Sequence, residues 1–349
     1  MTQYYPGIWY YEPSTAAAGF FAAVFIILSA LHAYQAIRTS TWRWIPFVLG
    51  SFLEAAGYIA RAVGAAQGPA YTLVPYLVNT IVVLVAPALM SASMYAEFSQ
   101  IVRLTEGQNY TIIGLDWITA LFVLGDLICL FAQAAGMSTL VIIQLIPMLT
   151  LTGAALLSNQ TDHSVTLGNH IIILGLAFQV VFLLFFIVTG VTFEGRMNVR
   201  PTTRVYNSKK LPWKRHTFNL YVCSGIIILR CVYRIAQYAQ GTDYYGYLVH
   251  TEWCMYVFDA SFIIAVLVSF AVVHPSEVEA LGRGHGVFIK QGYKVRHVNP
   301  AEDELPTVQM RVLVDGEALP TELRRVSRAQ AKQADFTETE MEVIVLPNV

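Results

Sequence analysis

Charge is what this sequence has least of. Only 13% of its 349 residues are Asp, Glu, Lys or Arg, about half of the roughly 25% usual in a soluble domain. Residues 1–37 contain no Lys or Arg, and the first Lys is Lys209. That scarcity, together with 56% hydrophobic residues, excludes a disordered chain and an ordinary cytosolic enzyme. Cysteine is scarce too. Cys129, Cys223, Cys231 and Cys254 lie in or beside apolar runs with no metal-ligand spacing. This excludes a disulfide scaffold and reads as buried apolar cysteine, so no metal or cofactor is expected. No Gly-x-x-x-x-Gly-Lys-Ser/Thr string occurs, which removes the phosphate-loop route to ATP. Internal repeats and low-complexity tracts are also missing. The net charge of −1 is uninformative, because the charges are sorted along the chain: the last 74 residues hold nine basic and twelve acidic side chains. A membrane domain followed by a polar tail is the reading, with no nucleic-acid partner.

What is present is a series of long apolar runs. A helix needs about 20 mostly apolar residues to cross roughly 30 Å of hydrocarbon. Seven segments qualify: Thr15–Ile37, Trp44–Val63, Tyr71–Ala96, Trp117–Gly136, His170–Phe193, Phe218–Tyr238 and Cys254–Val273. Ser138–Ser158 is apolar as well, and charge decides its status, since short cytoplasmic loops collect Lys and Arg. The loop 194–216 carries Arg196, Arg200, Arg204, Lys209, Lys210, Lys214 and Arg215, and Arg38 and Arg43 follow the first span. Both loops are cytoplasmic only if an even number of crossings separates them. Residues 138–158, with Pro147 inside, are therefore expected to form a re-entrant or outer-surface helix.

The expected architecture is an all-α membrane protein, a seven-transmembrane-helix bundle over residues 15–275. Residues 1–14 form an outer N-terminal segment, and 276–349 a largely disordered cytoplasmic tail. No basic n-region or cleavage signature precedes the first run, so that span is expected to stay. The tyrosines of residues 1–14, and Trp42 and Trp44 at the other face, suit the aromatic belts of a bilayer. Asn109 and Asn159 both begin Asn-x-Thr sequons, and only Asn159 lies on the expected outer side, where it could be glycosylated.

A charged residue in mid-span costs about 2.5–3.5 kcal/mol on insertion scales, so such residues face the bundle interior. Here they are Glu54, Arg61, Asp126, Arg230, Arg234 and Asp259, with Glu252 at a span entrance. Glu54 and Arg61 are seven apart, as are Asp126 and Gln133, so each pair shares a helix face. Arg230, Arg234 and Gln237 make a second stripe, and Glu252, Tyr256 and Asp259 a third. A rise of about 1.5 Å per residue places Arg230 and Asp259 roughly 10 Å below the outer surface. Arg234, Arg61, Gln133 and Glu252 lie nearer that surface, and Glu54, Asp126 and Gln179 near the midplane. Two cross-helix pairs follow, Arg230 with Asp259 and Arg234 with Glu252. The expectation is a polar chamber open to the outside and floored by carboxylates; structural pairing of the same residues is compatible with it. His32 and His274 lie at similar depth, but no His-x-x-x-His pair or Cys-His cluster supports a metal or haem.

Taken in order, these residues make a recognisable string. Glu54-Ala-Ala-Gly57-Tyr58-Ile-Ala-Arg61 is followed by Ala86-Pro87, Tyr95, Asp126 and Gln133-Ala-Ala-Gly136. Then come Gly175-Leu-Ala-Phe-Gln179, Arg230-Cys-Val-Tyr233-Arg234, Glu252, Tyr256-Val-Phe-Asp259 and His274-Pro275. The string resembles the fungal lipid-translocating exporter family over about residues 10–279. One position departs: the family usually has Glu one turn after the two arginines, and this chain has Gln237. The resemblance implies a plasma-membrane, multi-pass protein that moves or senses amphipathic lipids such as sphingoid long-chain bases and contributes to toxic-lipid resistance. The family includes a member linked to porphyrin movement, so membership leaves the substrate open.

The expected function is thus a lipid transporter or translocase rather than an enzyme. Substrate would be held by Glu54, Tyr58, Arg61, Asp126, Gln133, Gln179, Arg230, Tyr233, Arg234, Glu252, Tyr256 and Asp259. A seven-helix lipid sensor is the alternative, with the basic loop 194–216 docking a cytoplasmic partner. Against it, the third span ends Tyr95-Ala-Glu97, without an Asp-Arg-Tyr switch, and no span holds a Lys for a retinal Schiff base. An intramembrane sphingolipid hydrolase ranks third, because two scattered His are too few for a zinc centre.

Overall fold

The computed structural model describes Trp9 and residues 11–68, 71–149, 154–207, 211–240 and 246–298, without side-chain detail at 116, 138–165 and 207. It contains seven helices long and apolar enough to cross a membrane. They are α1 (Thr15–Thr39), α2 (Ile45–Ala65), α3 (Leu73–Leu104), α4 (Leu115–Leu149), α5 (Ala154–Val199), α6 (Trp213–Ala239) and a composite α7. α7 runs Glu252–Met255, passes through a π-helical turn at Tyr256–Ala260 and continues as Ser261–Val272. This is a multi-pass membrane protein.

Local chemistry sets the ends of these helices. Ser14 caps α1 by accepting from Ala17 N (3.3 Å), and Ser40 ends it in a left-handed conformation (φ 54°). Pro46 starts α2, where a missing N–H costs nothing. Consecutive helices are neighbours, α7 returns to α1, and α3 touches α6 across the ring. α2 and α3 approach closely at Gly50, where a Cβ would lie 2.8 Å from the Ala86 carbonyl oxygen. In a bilayer, where water cannot drive helices together, such small-residue seams supply the packing.

The bundle is apolar outside and polar inside. Phe20, Ile27, Phe131, Val181 and Phe218 are exposed, whereas Glu54, Arg61, Asp126, Arg230 and Asp259 are buried. Water around that surface would make it an aggregation liability; hydrocarbon suits it. Aromatic stacks fill the space between. Phe98, Phe122 and Phe186 meet edge to face, and Trp44 stacks on Phe47 at 4.4 Å. Trp44 is therefore a core residue and not part of a headgroup belt, whereas Trp42 is exposed.

Two further expectations are revised. Residues 138–158 do not form an element of their own: α4 continues to Leu149 and α5 begins at Ala154. The apolar run has no helix breaker before Pro147, which falls in the last turn of α4, so the backbone simply continues. The tail is folded at its start. A helix α8 (Ser276–Arg283) leads into strands β1 (Val287–Lys290) and β2 (Lys294–His297), paired antiparallel. Phe288 and Ile289 are buried, and the Gln35 amide donates to the Gly292 carbonyl (3.0 Å). Gly292 turns the hairpin at φ +81°, a conformation that favours glycine. Residues 299–349 lie outside the described residues.

Candidate functional site

α6 sets Arg230 and Arg234 one turn apart, and the π-helical turn of α7 presents Asp259 to both. Asp259 Oδ1 lies 2.7 Å from Arg230 Nε. Arg234 donates through Nε to Oδ1 (3.1 Å) and through Nη2 to Oδ2 (2.7 Å). Arg230 and Asp259 each expose 1% of their surface, and Arg230 Nη2 also donates to the Val83 carbonyl (2.8 Å). One carboxylate thus serves two guanidiniums. The sequence pairs Arg230 with Asp259, as found, but Arg234 does not pair with Glu252. A depth count by helical rise ignores both the reach of a guanidinium and the wide turn in α7. Gln237, the departure from the family pattern, accepts from Arg234 Nη1 (3.2 Å) and so supplies a neutral acceptor.

Glu252 instead holds Arg61 (2.9 Å) and accepts from the backbone N–H of Ser14 (3.0 and 3.1 Å). Arg61 donates to Tyr11 (2.7 Å) and Tyr256 (3.2 Å), and its guanidinium lies over the Trp9 ring at 4.6 Å. Trp9 and Tyr11 are therefore partners of Arg61, which the belt reading of the N-terminal segment did not anticipate. Arg–aromatic stacking of this kind strengthens where water is excluded.

Glu54, on α2, sits within the electrostatic reach of Arg230, Arg234 and Asp259. It is 1% exposed, yet its Oε1 has no hydrogen-bond partner, and the hydroxyls of Tyr58 and Tyr233 have none either. Buried polar atoms are normally bonded, so three orphans in one region call for an explanation. The rings of Tyr58 and Tyr256, 6.3 Å apart, join this group to the Arg61 cluster.

The remaining candidates stand on the α3, α4 and α5 side. Asp126 Oδ2 accepts from Ser91 and from Tyr95 (3.0 Å), while Oδ1 is unbonded. Gln133 donates to Gln179 (3.4 Å), tying α4 to α5. Cys231 lies between the two halves, within reach of both Asp126 and Asp259. The Asn159 side chain is outside the described residues. His32 bonds the Leu267 carbonyl (2.9 Å), and His274 accepts from Ser276 N (3.3 Å). Among the described residues no group of three or more His, Cys, Asp or Glu could hold a metal ion.

A second polar cluster, at the end of the bundle where α8 packs, was not foreseen. His216 Nδ1 lies 2.8 Å from Glu97 Oε1, and Nε2 lies 3.3 Å from Glu277 Oε2, which Arg215 also contacts. The only sequence signal was the pair Tyr95-Ala-Glu97 at the end of a span. Glu97 and His216 lie 119 positions apart, and Glu277 belongs to a segment read as tail.

Residues 47–280 match the family described as RTA1 like protein. The chain belongs to the RTA1-like family. It is 29% identical over 300 residues to protoporphyrin uptake protein 1 of Saccharomyces cerevisiae, covering 76% of this chain and 91% of that one. Protein RTA1 of the same yeast is 30% identical over 232 residues, covering 66% of this chain and 65% of that protein. A sphingoid long-chain base transporter, RSB1, is 25% identical over 317 residues, covering 80% and 77%. None of these names describes an enzyme. No solved structure matches the chain. The match runs from within α2 into α8, and so includes Glu54, Arg61, Arg230, Arg234, Glu252 and Asp259 as well as Glu97, Arg215, His216 and Glu277.

Proposed function

We propose that this RTA1-like protein moves amphipathic lipids with a cationic head, such as sphingoid long-chain bases, across the plasma membrane. The observation that carries the reading is the unbonded Glu54 carboxylate oxygen, with the unbonded Tyr58 hydroxyl within its electrostatic reach. Among the described residues, the bundle interior away from the α8 end holds four carboxylates (Glu54, Asp126, Glu252, Asp259) against three guanidiniums (Arg61, Arg230, Arg234). Four against three leaves one net negative charge, and Glu54 and Asp126 are the two carboxylates without an arginine ion pair, so a cation is favoured there. A protonated amine offers three donors; it would satisfy Glu54 and the Tyr58 hydroxyl together, with the acyl chain among the bundle's apolar side chains. The positive-inside rule puts the Arg61–Glu252 end outside and α8 inside. A relative named for a sphingoid base supports the class, and one named for a porphyrin shares only the amphipathic character of the substrate.

The test is flux in liposomes holding the purified protein, with a fluorescent sphingoid base and its N-acetylated, uncharged analogue. The protein should speed the crossing of the amine over that in protein-free liposomes and leave that of the amide unchanged, and Glu54→Gln should abolish the preference. Equal flux of both compounds, or an unchanged preference in E54Q, would refute the reading.

A further inference from the structure

The cluster of Glu97, His216 and Glu277 has no part in holding a lipid head, and its geometry is that of a proton site. A neutral imidazole donates from one nitrogen only; an imidazolium donates from both. His216 has a carboxylate oxygen at each nitrogen, 2.8 and 3.3 Å away, and is fully buried. With both glutamates ionised, both contacts are hydrogen bonds only while the ring carries its second proton. Losing that proton sets a ring lone pair against a carboxylate, and one contact must open.

The exchange route is visible as well. Glu97 Oε2 and Trp44 Nε1 are buried without hydrogen-bond partners, and both residues line one small cleft. It has room for one water molecule and not for an organic ligand. Exposed Arg43 also borders the cleft. A proton can therefore pass between His216 and water by way of Glu97.

The surrounding charges are few. α3 contributes Glu97, and α8 contributes Glu277, which meets Arg215 of α6 and senses Lys290 of β1. Glu279 is engaged by Arg283, and His274, at the end of α7, lies within electrostatic reach of His216. With the ring charged, Glu97, His216, Glu277 and Arg215 sum to zero; with it neutral, one negative charge is left in a buried place.

The cluster joins α3, α6 and the segment after α7, the same helices that hold Asp126 through Ser91 and Tyr95, the two arginines, and Asp259. We propose that Glu97, His216 and Glu277 form a proton-binding site that closes the α8 end of the bundle. Release of the proton opens that end, so lipid passage is proton-linked. The proposal rests on the transport reading for its consequence, and not for the site itself.

Two measurements on the full-length protein in liposomes separate the two. The first is the hydrogen-exchange protection of amides 276–283, corrected for intrinsic rates, between about pH 5 and 8, where histidine changes charge. Protection should fall as pH rises, by at most about tenfold per pH unit for one proton, and should be flat in His216→Gln. Should that variant misfold, Glu277→Gln removes one of the two acceptors and is expected to flatten the slope equally. The second is sphingoid-base flux under an imposed pH difference, which should follow the gradient in the native protein and ignore it in the variant. A flat native protection profile, or a slope retained in both variants, overturns the site. Native flux indifferent to the gradient overturns the coupling. Absence of flux in every condition defeats the transport reading, while the protection slopes still decide the site.

Discussion

Asp259 is shared between two arginines, and sharing has a measurable signature. In Arg230→Leu, Asp259 keeps the two-bond contact with Arg234 (3.1 and 2.7 Å) and loses only the 2.7 Å charge contact; the Val83 carbonyl loses its 2.8 Å donor. One hydrogen bond to a charged group is worth about 1.5–3 kcal/mol, which sets the expected loss. Asp259→Leu strands both guanidiniums, and breaking a buried pair from one side costs about 3–5 kcal/mol. The double variant R230L/D259L still leaves Arg234 without its carboxylate and should remain close to the D259L value. Replacing Arg230, Arg234 and Asp259 together by Leu should be neutral or stabilising by about 1–4 kcal/mol, as when a buried ion triad gives way to apolar packing, while abolishing lipid flux. Unfolding in mixed micelles titrated with denaturing detergent would rank the four variants. Full recovery of stability in R230L/D259L would show a one-to-one pair and refute the shared carboxylate.

Glu54→Gln should fold at least as well as the native chain, because it removes a buried charge whose Oε1 is unbonded; marked thermal destabilisation would show that Glu54 is a structural partner instead. Truncation after residue 298 should leave stability and flux intact, whereas truncation after Gly284 removes buried Phe288 and Ile289 and the Gln35–Gly292 bond. The second cut should cost several kcal/mol, since losing one large buried apolar side chain alone costs about 2–5 kcal/mol; equal melting temperatures for the two would disprove the docking of the hairpin. In intact cells a glycan should be found at Asn159 and not at Asn109, and the reverse would invert the orientation proposed here.

The seven spans were legible because an apolar run of about 20 residues has few alternatives in a chain so poor in charge. Their ends were not. α3 runs to Leu104 and α6 starts at Trp213, beyond the apolar limits, since a helix needs no further apolar residues once it has left the hydrocarbon. Arg230 and Asp259 could be paired from depth alone. Arg234 could not, because an arginine side chain reaches further than one helical turn and the π-helical turn at Tyr256–Ala260 has no period that can be read in sequence. The folded start of the tail escaped notice for another reason. Val287, Phe288 and Ile289 are only three apolar residues in a polar stretch, and the burial of β1 depends on a surface made by α1 and α8. The Glu97–His216–Glu277 contact joins residues up to 180 positions apart and leaves no local pattern at all.

α1 is completed by α7 and the hairpin that follows it. Ser14 at one end of α1 is bonded by Glu252, His32 in its interior by the Leu267 carbonyl, and Gln35 near its other end by Ala271 and Gly292. These partners are 235 to 257 positions downstream. During synthesis α1 and α2 therefore wait in the bilayer with His32, Gln35 and Arg61 unmatched until residues 252–292 emerge. A ribosome that stalls before then releases an open bundle whose polar residues face lipid. Such a fragment is what membrane quality control recognises, so abundance of this protein should respond steeply to changes in the hairpin at 287–297.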